Sequence, residues 1–291
     1  MEAFKGENCL IKVLVTGAGG QLGSNVIPLL SEYNIKVTAL SKLEFDINDF
    51  SKLGELIVAQ KYDFLLNCAA YTDLDSAETN HTTNFQVNAV APTELAKLCK
   101  ASGVKLIHIS TDAVFGSNVP IYFKVNDSPC PVNAYGAAKA DGEQGVLEHF
   151  PDGSMIIRTS WLYGRDSGKF YQSVVSSAKF QKKINVVGDQ FGQPTNVRDL
   201  SHFILNCISG AFTPGIFHYT GGTVVSRFDF ARLIYRFHGL PENLVLISET
   251  KSSPGVAPRP KYSLLDINSE KAKSIYPFAG IENTLLSIIK R

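Results

Sequence analysis

The feature that most constrains the fold is a short apolar segment that runs directly into a glycine-rich turn. Residues 11–17 read IKVLVTG, and the run GAGGQLG over 17–23 opens a segment of helical period. Glycines at Gly17, Gly20 and Gly23 permit a tight turn, close approach of the backbone to a pyrophosphate and close packing of helix on strand. The N-terminus of the helix offers free N–H groups to the same anion. The turn therefore predicts a dinucleotide-binding site.

Short apolar runs then alternate with segments of helical period. The runs are nearly continuous in apolar character, as in strands of a parallel sheet covered on both faces; they span 11–17, 35–40, 64–70, 104–110 and 154–160. The candidate helices between them span 21–31, 50–60, 84–101 and 135–150. This alternation predicts an α/β fold, a Rossmann-type doubly wound parallel sheet with a smaller C-terminal substrate lobe.

The regular alternation ends near residue 160, where glycine and proline become more frequent, as in GDQFGQPTNVRD and SSPGVAPRPKY. We therefore expect a dinucleotide-binding Rossmann domain over 1–160 and a mainly substrate-binding lobe over 161–291. The segment GIFHYTG, residues 215–221, is expected to return one strand to the sheet.

Composition excludes several classes of function. The formal net charge is +1, so the chain has no basic field for nucleic acid or an acidic membrane, and a small ligand is the better expectation. The five cysteines include no CxxC pair, and no two histidines have the spacing of an HxH or HExxH pair, so no metal is predicted. The N-terminal residues lack the apolar run of a signal peptide, and no stretch has the length of a membrane span, which predicts a cytoplasmic protein.

The ends of the second and third strands indicate which dinucleotide binds. An acidic residue after the second strand would bind the ribose hydroxyls of NAD, whereas this chain has Ser41 and Lys42 there. A hydroxyl and an ammonium favour a 2′-phosphate, so NADPH is predicted and NADH stays open. The third strand ends in NCAAYT, whose small residues Ala69 and Ala70 would let the cofactor pass close to the backbone.

The fourth strand ends in Ser-Thr-Asp, and YGAAK follows at the start of a helix. The i, i+4 spacing places Tyr135 and Lys139 on one helical face, where an ammonium can lower the pKa of the phenol. Tyr135 can then donate a proton to a carbonyl oxygen. Pairs with this spacing arise by chance, so the context decides: Thr111 stands at the carboxyl end of a strand, where α/β sheets bind ligands.

With these residues in place, the chain resembles the extended short-chain dehydrogenase/reductases, and within them the dTDP-4-dehydrorhamnose reductase family. The spacing of the three glycines is similar to the short-chain reductase form. Ordered matches run along nearly the whole chain: TGAGGQLG, NCAAYTDLDSAE, VNA, STDAVFG, NAYGAAKADGE, RTSWLYG, GDQFGQPT, GIFHYTGG and RPKYSLLD. The resemblance implies a Rossmann domain, a C-terminal sugar-nucleotide lobe, NADPH, and reduction of the C4 keto group of a nucleotide-linked 4-keto-6-deoxy sugar.

The resemblance also implies roles for individual residues. Tyr135 matches the proton donor, Lys139 its partner and the ribose anchor, Thr111 the hydroxyl that holds the substrate carbonyl, and Asn88 an asparagine that braces the site. Positions that match cofactor contacts are Gly20, Gln21, Leu22, Asp46, Ile47, Ala70, Tyr71 and Thr72. The substrate-binding positions are Thr72, Thr111, Asp112, Tyr135 and Trp161.

One position departs from the family pattern. Ala113 stands where the family usually has a tyrosine, so a wall of the sugar pocket is missing or supplied elsewhere. Ala113 therefore keeps open a reductase or epimerase of a UDP-linked or other nucleotide sugar. The same fold also resembles a non-catalytic NADP-binding regulatory subunit of methionine adenosyltransferase, although the presence of Thr111, Tyr135 and Lys139 together weighs against that alternative. A homodimer also stays open, but the isolated carboxylates of Glu270 and Glu282 do not predict a metal-bridged one.

Overall fold

The computed structural model describes residues 10–251, 253, 255–268 and 270–289. The strands in these residues are β1 (Lys12–Thr16), β2 (Lys36–Leu40), β3 (Phe64–Asn67), β4 (Lys105–Thr111), β5 (Tyr122–Phe123), β6 (Ser154–Thr159), β7 (Leu162–Tyr163), β8 (Ile184–Val187), β9 (Phe191–Gly192), β10 (Thr195–Asn196), β11 (Gly215–His218), β12 (Val225–Ser226), β13 (Val245–Ser248) and β14 (Leu264–Leu265). The helices are α1 (Gly23–Glu32), α2 (Phe50–Gln60), α3 (Leu74–Ala77), α4 (His81–Phe85), α5 (Ala91–Ser102), α6 (Ala134–His149), α7 (Lys169–Lys179), α8 (Val197–Asn206), α9 (Arg227–Phe237), α10 (Glu270–Ile275) and α11 (Ile281–Ile289).

A six-stranded parallel sheet forms the centre of the molecule. Its strands lie in the order β2-β1-β3-β4-β6-β11, and each neighbouring pair is parallel. The five strands expected from apolar runs all form, and β11 pairs with β6 from Gly215 opposite Met155 to His218 opposite Arg158. The strand order changes direction between β1 and β3, so a crevice opens at the carboxyl ends of these strands, where ligands bind in open α/β sheets.

Strict alternation along the strands gives the sheet two buried faces. Val13 and Val15 of β1 point into one core with α1 and α8, whereas Leu14 points into the other core with α2, α5 and α6. Each of these three side chains is 0% exposed. Because both faces are covered, the strands read as continuous apolar runs, and the prediction of a Rossmann-type doubly wound sheet is confirmed.

Side-chain caps fix where several helices begin. Asp49, Asp73 and Asn133 each accept a hydrogen bond from a backbone N–H in the first turn of α2, α3 and α6 respectively. Ser226 accepts from the N–H of Asp229 at the start of α9 and donates to its carboxylate. The capping box at the start of α9 places the beginning of this helix beside the crevice.

A second apolar core lies outside the central sheet, in the C-terminal part of the chain. It joins α7, α9 and α11, with Tyr171, Phe230, Ile234 and Leu285 among its buried members. Short strands pair around it, β8 with β13, β9 with β12 and β7 with β10. This arrangement places α7 and the start of α9 across the crevice from the central sheet.

Two features are absent from the part of the chain that the structure describes. No described helix is long and apolar enough to cross a membrane. Among the same residues, no group of three or more histidine, cysteine, aspartate or glutamate side chains is arranged to hold a metal ion.

Candidate active site

A cleft of about 770 Å³ lies between the carboxyl edge of the sheet and the C-terminal part of the chain. It is one continuous space that runs from the glycine-rich turn to the start of α9. Ten of the residues predicted from the sequence line its walls: Gly20, Gln21, Leu22, Ala70, Thr72, Thr111, Asp112, Tyr135, Lys139 and Trp161. The cleft therefore joins the predicted cofactor turn to the predicted reaction centre.

The glycine-rich turn is built by close backbone contacts. Gly17 has φ +68°, and a Cβ there would lie 2.5 Å from the backbone nitrogen of Ala69. A Cβ on Gly23 would lie 2.4 Å from the carbonyl oxygen of Gly17. Gly17 and Gly23 thus do not line the cleft; they let β1, the turn and α1 pack closely enough to bring Gly20, Gln21 and Leu22 to its wall.

The start of α1 fits an anionic cofactor. Its first residues, Gly23, Ser24 and Asn25, include no acidic side chain, and Leu22 supplies no side-chain cap. Among the described residues, the buried Nε2 of Gln21 has no hydrogen-bond partner. A helix N-terminus without a carboxylate and a buried amide donor at the same cleft match the phosphates of a dinucleotide.

The end of β2 lies beside the turn without reaching the main cleft. A Cβ on Gly19 would lie 3.8 Å from the Cβ of Ser41, and Ser41 donates a hydrogen bond to Glu44 at 2.7 Å. Lys42 is exposed, and Asp46 accepts hydrogen bonds from the backbone and side-chain amides of Asn48. Ile47, which follows, packs against the core on the α2 side of the sheet. Ser41 thus lies beside the turn, and the exposed Lys42 follows it in the chain.

Asn88 braces the loop that follows β3. Its Oδ1 accepts from the backbone N–H of Tyr71 at 3.1 Å, and its Nδ2 donates to the carbonyl of Tyr71 at 2.9 Å and to Asn84 at 2.7 Å. Asn88 is 0% exposed and lies in a π-helical turn, Gln86–Val90, between α4 and α5. Asn88, Tyr71 and Ala69 do not line the cleft, but this pairing holds Ala70 and Thr72 in its wall.

Thr111 and Tyr135 meet at the floor of the cleft. Thr111 ends β4 and accepts a hydrogen bond from the N–H of Ala113 at 3.1 Å, while Asn133 caps α6 and so fixes the first turn that carries Tyr135. A Cβ on Gly136 would lie 2.0 Å from the carbonyl oxygen of Ala113, so glycine lets α6 approach β4 this closely. The Thr111 hydroxyl donates to Oδ1 of Asp112 at 3.1 Å, so both hydroxyls bind one substrate oxygen when this O–H turns toward it.

The ionisation of Tyr135 differs from the sequence prediction. Burial raises its pKa to about 12; the neighbouring Thr111 hydroxyl lowers the pKa less, and the negative charge of Asp112 raises it further. The i, i+4 pairing with Lys139 predicted a lowered pKa, but desolvation of the phenolate outweighs the stabilising effect of its neighbours. Tyr135 is therefore protonated at neutral pH, which is the form that donates a proton.

Lys139 lies one turn further along α6 and is almost fully buried. Its Nζ donates to the carbonyl of Ile109 at 2.8 Å and lies 3.2 Å from Nε2 of His108. Burial lowers its pKa from 10.5 to about 8, although the charge of Glu143 acts in the opposite direction. Lys139 is thus held against β4 while it lines the cleft.

The opposite end of the cleft is polar and includes residues that sequence reasoning missed. Asp112 is buried, accepts a hydrogen bond from Ser263 at 2.6 Å, and has a pKa raised by burial. The guanidinium of Arg227 lies 3.5 Å from the ring centroid of Trp161, and burial lowers its pKa to about 10. Arg259 also lines this end. Two cations beside an indole form a site for an anionic, ring-containing ligand.

Ala113 lines the cleft with a methyl group where the family usually has a tyrosine. The aromatic side chains of Trp161, Phe170 and Phe191 line the same cleft. The departure noted in the sequence therefore leaves space at the substrate end, and aromatic residues from other elements form walls around it.

Comparisons with known proteins identify the family. The family model described as RmlD substrate binding domain matches residues 11–291. A dTDP-4-dehydrorhamnose reductase of Mycolicibacterium smegmatis is 37% identical over 91% of this chain and 81% of that protein. The chain belongs to the dTDP-4-dehydrorhamnose reductase family.

Two further relatives refine this assignment. A dTDP-4-keto-6-deoxy-D-glucose reductase of Streptomyces niveus is 33% identical, with 91% of each chain covered. A crystal structure of dTDP-4-dehydrorhamnose reductase from Bacillus anthracis in complex with NADP is similar with a TM-score of 0.90 and 32% identity, covering 97% of this chain and 99% of that one. The family resemblance drawn from the sequence is thereby confirmed.

Proposed function

We propose that this chain uses NADPH to reduce the C4 keto group of a nucleotide-linked 4-keto-6-deoxyhexose, most directly dTDP-4-dehydro-L-rhamnose to dTDP-L-rhamnose. The observation that carries the proposal is the position of Thr111 and Tyr135 at the floor of one cleft that also contains the glycine-rich turn. The names of its full-length reductase relatives support the same reaction.

The chain's own residues bind and protonate the substrate oxygen. NADPH, when bound at the glycine-rich turn, supplies the hydride. Thr111 donates a hydrogen bond to the carbonyl oxygen, and Tyr135, protonated at neutral pH because burial raises its pKa, gives its proton to the oxygen as negative charge develops there. Both contacts strengthen in the transition state, so they accelerate the reaction rather than only bind the ketone.

Arg227 is proposed to bind the diphosphate of the sugar nucleotide. Its flat guanidinium stacks on Trp161, which keeps its donors in a fixed plane, and such a fork binds phosphate oxygens in pairs. Arg259 donates to the carbonyl of Ala257 and to Asp75, so it is also held in place at this end of the cleft. Asp112 and Trp161 would then lie beside the sugar.

Cofactor choice follows from the end of β2. Ser41 lies beside the turn where a 2′-phosphate would lie, the exposed Lys42 follows it, and the Bacillus anthracis relative is in complex with NADP. We propose NADPH as the main reductant. Glu44, hydrogen-bonded to Ser41, supplies a carboxylate that could bind the ribose hydroxyls of NADH, so NADH is expected to serve more weakly.

The deciding experiment follows NADPH oxidation with dTDP-4-keto-6-deoxyglucose, with and without a 3,5-epimerase. Epimerase-dependent oxidation with dTDP-rhamnose as product would support the proposal. Oxidation without the epimerase would indicate a reductase like the Streptomyces niveus relative, whose name specifies the unepimerised sugar. No oxidation while NADPH still binds would favour UDP-linked sugars or a non-catalytic role.

The proposal also covers how the chain divides between the two ligands, where the protein is located and whether it forms a dimer. Residues 1–160 would bind the dinucleotide and 161–291 would mainly bind the sugar nucleotide, which is supported by the position of Arg227 and Trp161 opposite the glycine-rich turn. A cytoplasmic location is supported by the free thiols of Cys68, Cys99, Cys130 and Cys207.

A homodimer is separate from the chemistry, since all the proposed contacts come from one copy; sedimentation equilibrium tests it. The side chain of Glu270 lies outside the described residues, and Glu282 pairs with Arg236 at 2.6 Å.

A further inference from the structure

A chain of buried polar side chains runs beneath the carboxyl ends of β1, β3 and β4 and ends at Lys139. It consists of Thr16, Asn67, His108 and Lys139, each of which is 1% exposed. Thr16 donates to Asn67 Oδ1 at 2.8 Å, Asn67 Nδ2 lies 3.0 Å from His108 Nδ1, and His108 Nε2 lies 3.2 Å from Lys139 Nζ. Because these groups are removed from water, a mismatch of donor against donor is costly.

The backbone fixes the direction of the first hydrogen bonds in this chain. The N–H of Ala69 can only donate, and it donates to Oδ1 of Asn67 at 3.1 Å. Oδ1 of Asn67 must therefore face Ala69 and Thr16, which leaves the NH₂ group facing His108. An NH₂ group donates, so Nδ1 of His108 accepts and carries no proton. A neutral imidazole with a bare Nδ1 carries its hydrogen on Nε2.

The same direction continues to Lys139. The Nε2–H of His108 points at Nζ of Lys139, which accepts only if it is a neutral amine with a lone pair; it then donates to the carbonyl of Ile109. An ammonium at this position would require a bare Nε2 and move the imidazole proton to Nδ1. That proton would face the NH₂ group of Asn67 at 3.0 Å, donor against donor.

We propose that His108 is a positioning residue that stabilises the neutral amine of Lys139 relative to the ammonium in the free enzyme and orients it in the cleft. The geometry of the hydrogen bonds carries this inference. This inference deepens the proposed function and rests on it only for the role of Lys139 in the reaction. Lys139 would bind its ligands as an amine that can take up a proton, rather than as a permanent cation.

Burial favours the neutral amine of Lys139, whereas the titratable groups that face it either oppose this or are neutral. From α6, Glu143 favours the ammonium, but its carboxylate is bonded to Arg158 of β6 at 2.6 Å. Burial raises the pKa of Cys68, after β3, to about 12, so its thiol is neutral. Tyr135, also of α6, is neutral too. Burial lowers the pKa of His108 well below its usual range, so its imidazole is neutral and carries a proton on only one nitrogen.

A second buried histidine shows the opposite arrangement. Nδ1 of His218 lies 3.1 Å from the carbonyl of Asp266, and a carbonyl only accepts, so Nδ1 carries the proton. Its Nε2 is then bare and accepts from the guanidinium of Arg158 at 3.3 Å. The two histidines thus have opposite tautomers, and in each case a backbone group fixes the direction of the hydrogen bonds. Nε2 of His108 donates to a neutral amine, whereas Nε2 of His218 accepts from a permanent cation.

The first test reads both tautomers directly. Long-range proton–nitrogen correlation spectra of the cofactor-free enzyme, with ¹⁵N-labelled histidine, are recorded at pH 9. The proposal expects the Nε2–H form for His108 and the Nδ1–H form for His218, which serves as the internal control. An Nδ1–H form of His108 would overturn the proposal, and because the measurement uses the unmodified protein, it does not depend on a variant that folds.

The second test measures the ionisation of Lys139. The ¹³Cε shift of labelled lysine is followed against pH in the cofactor-free enzyme, and Lys139→Met assigns the resonance. In His108→Gln, an amide oxygen can turn toward Nζ and accept from an ammonium, so the titration midpoint should rise by at least one pH unit. Cys68→Ala removes a neutral thiol that faces the same amine and should leave the midpoint unchanged. Equal midpoints in His108→Gln and the unmodified enzyme would contradict the proposal.

Neither measurement uses substrate. An inactive enzyme with the expected tautomer and midpoint would reject the proposed reaction and retain the role of His108. An active reductase in which His108→Gln leaves the midpoint unshifted would support the proposed reaction and reject the role of His108.

Discussion

The guanidinium of Arg227 lies 3.5 Å from the ring centroid of Trp161, at the end of the cleft opposite the glycine-rich turn. Arg227 is the first residue of α9, and Trp161 follows β6, so two distant segments of the chain form one surface. The indole face holds the planar guanidinium in place and removes part of its hydration, which strengthens its interaction with an anion.

We expect Arg227→Gln to raise KM for the sugar nucleotide. Loss of a charged hydrogen-bond donor costs about 1.5–3 kcal/mol, which corresponds to roughly tenfold to a hundredfold in kcat/KM. The affinity for NADPH should stay unchanged, since Arg227 lies away from the turn. Steady-state kinetics with each ligand varied in turn gives both values.

Arg232→Gln is the matched control for that substitution, because this arginine lies on the same helix and pairs with Glu242 at the surface. It should leave both constants unchanged. A substrate KM for Arg227→Gln equal to that of the control would reject Arg227 as a diphosphate ligand.

Tyr135→Phe is expected to lower kcat by about 10²–10⁴-fold, the usual contribution of a positioned proton donor. The substitution removes only the phenolic oxygen, and the ring keeps its packing at the start of α6. The dissociation constant of NADPH, measured by fluorescence titration, should change little. Tyr122→Phe, at a phenol that is exposed, serves as the control. Near-normal turnover in Tyr135→Phe would remove this residue from the mechanism.

Much of the fold could be predicted because both faces of the central sheet are buried. Continuous apolar runs located each of the first five strands of that sheet to within a few residues. The helix expected over 84–101 instead consists of α4, a π-helical turn and α5. Nothing in residue propensity marks this wider turn, since it is set by the tertiary contacts of Asn88 with Tyr71.

In the site, too, some residues could be predicted from the sequence and others could not. Gly20, Thr111 and Tyr135 were accessible from sequence, since each stands at a strand end or at the start of a helix. Arg227 was missed because its partner, Trp161, is remote in the chain. The capping box of Ser226 and Asp229 was a usable signal: it places the start of α9 at Arg227. The pKa of Tyr135 could not be inferred, because spacing carries no information on burial.

Lys42 is expected to contribute to the preference for NADPH. Its ammonium is exposed, so its interaction with a 2′-phosphate is screened by water and salt, and Lys42→Ser should weaken NADPH by about two- to fivefold. NADH binding should not change. The measurement is the ratio of KM values for the two cofactors at low and high ionic strength. The same loss for both cofactors would show that Lys42 does not contact the 2′ position.

The buried pair of Glu143 and Arg158 should dominate the electrostatic contribution to stability. The two side chains are 3% and 2% exposed, and their ends lie 2.6 Å apart. Glu143→Gln leaves a buried guanidinium without its counter-charge, so the free energy of unfolding should fall by about 3–5 kcal/mol. Urea denaturation at pH 7 measures this loss.

The pair of Glu94 and Lys97 provides the comparison, because it has a similar separation of 2.7 Å but side chains that are 32% and 46% exposed. Water already solvates both groups, so Glu94→Gln should cost less than about 1 kcal/mol. The effect of Glu143→Gln therefore comes from burial and not from the ion pair alone. Equal losses in the two variants would show that Arg158 is stabilised mainly by its other contacts, which are the carbonyl of Val125, Nε2 of His218 and the ring of Phe115.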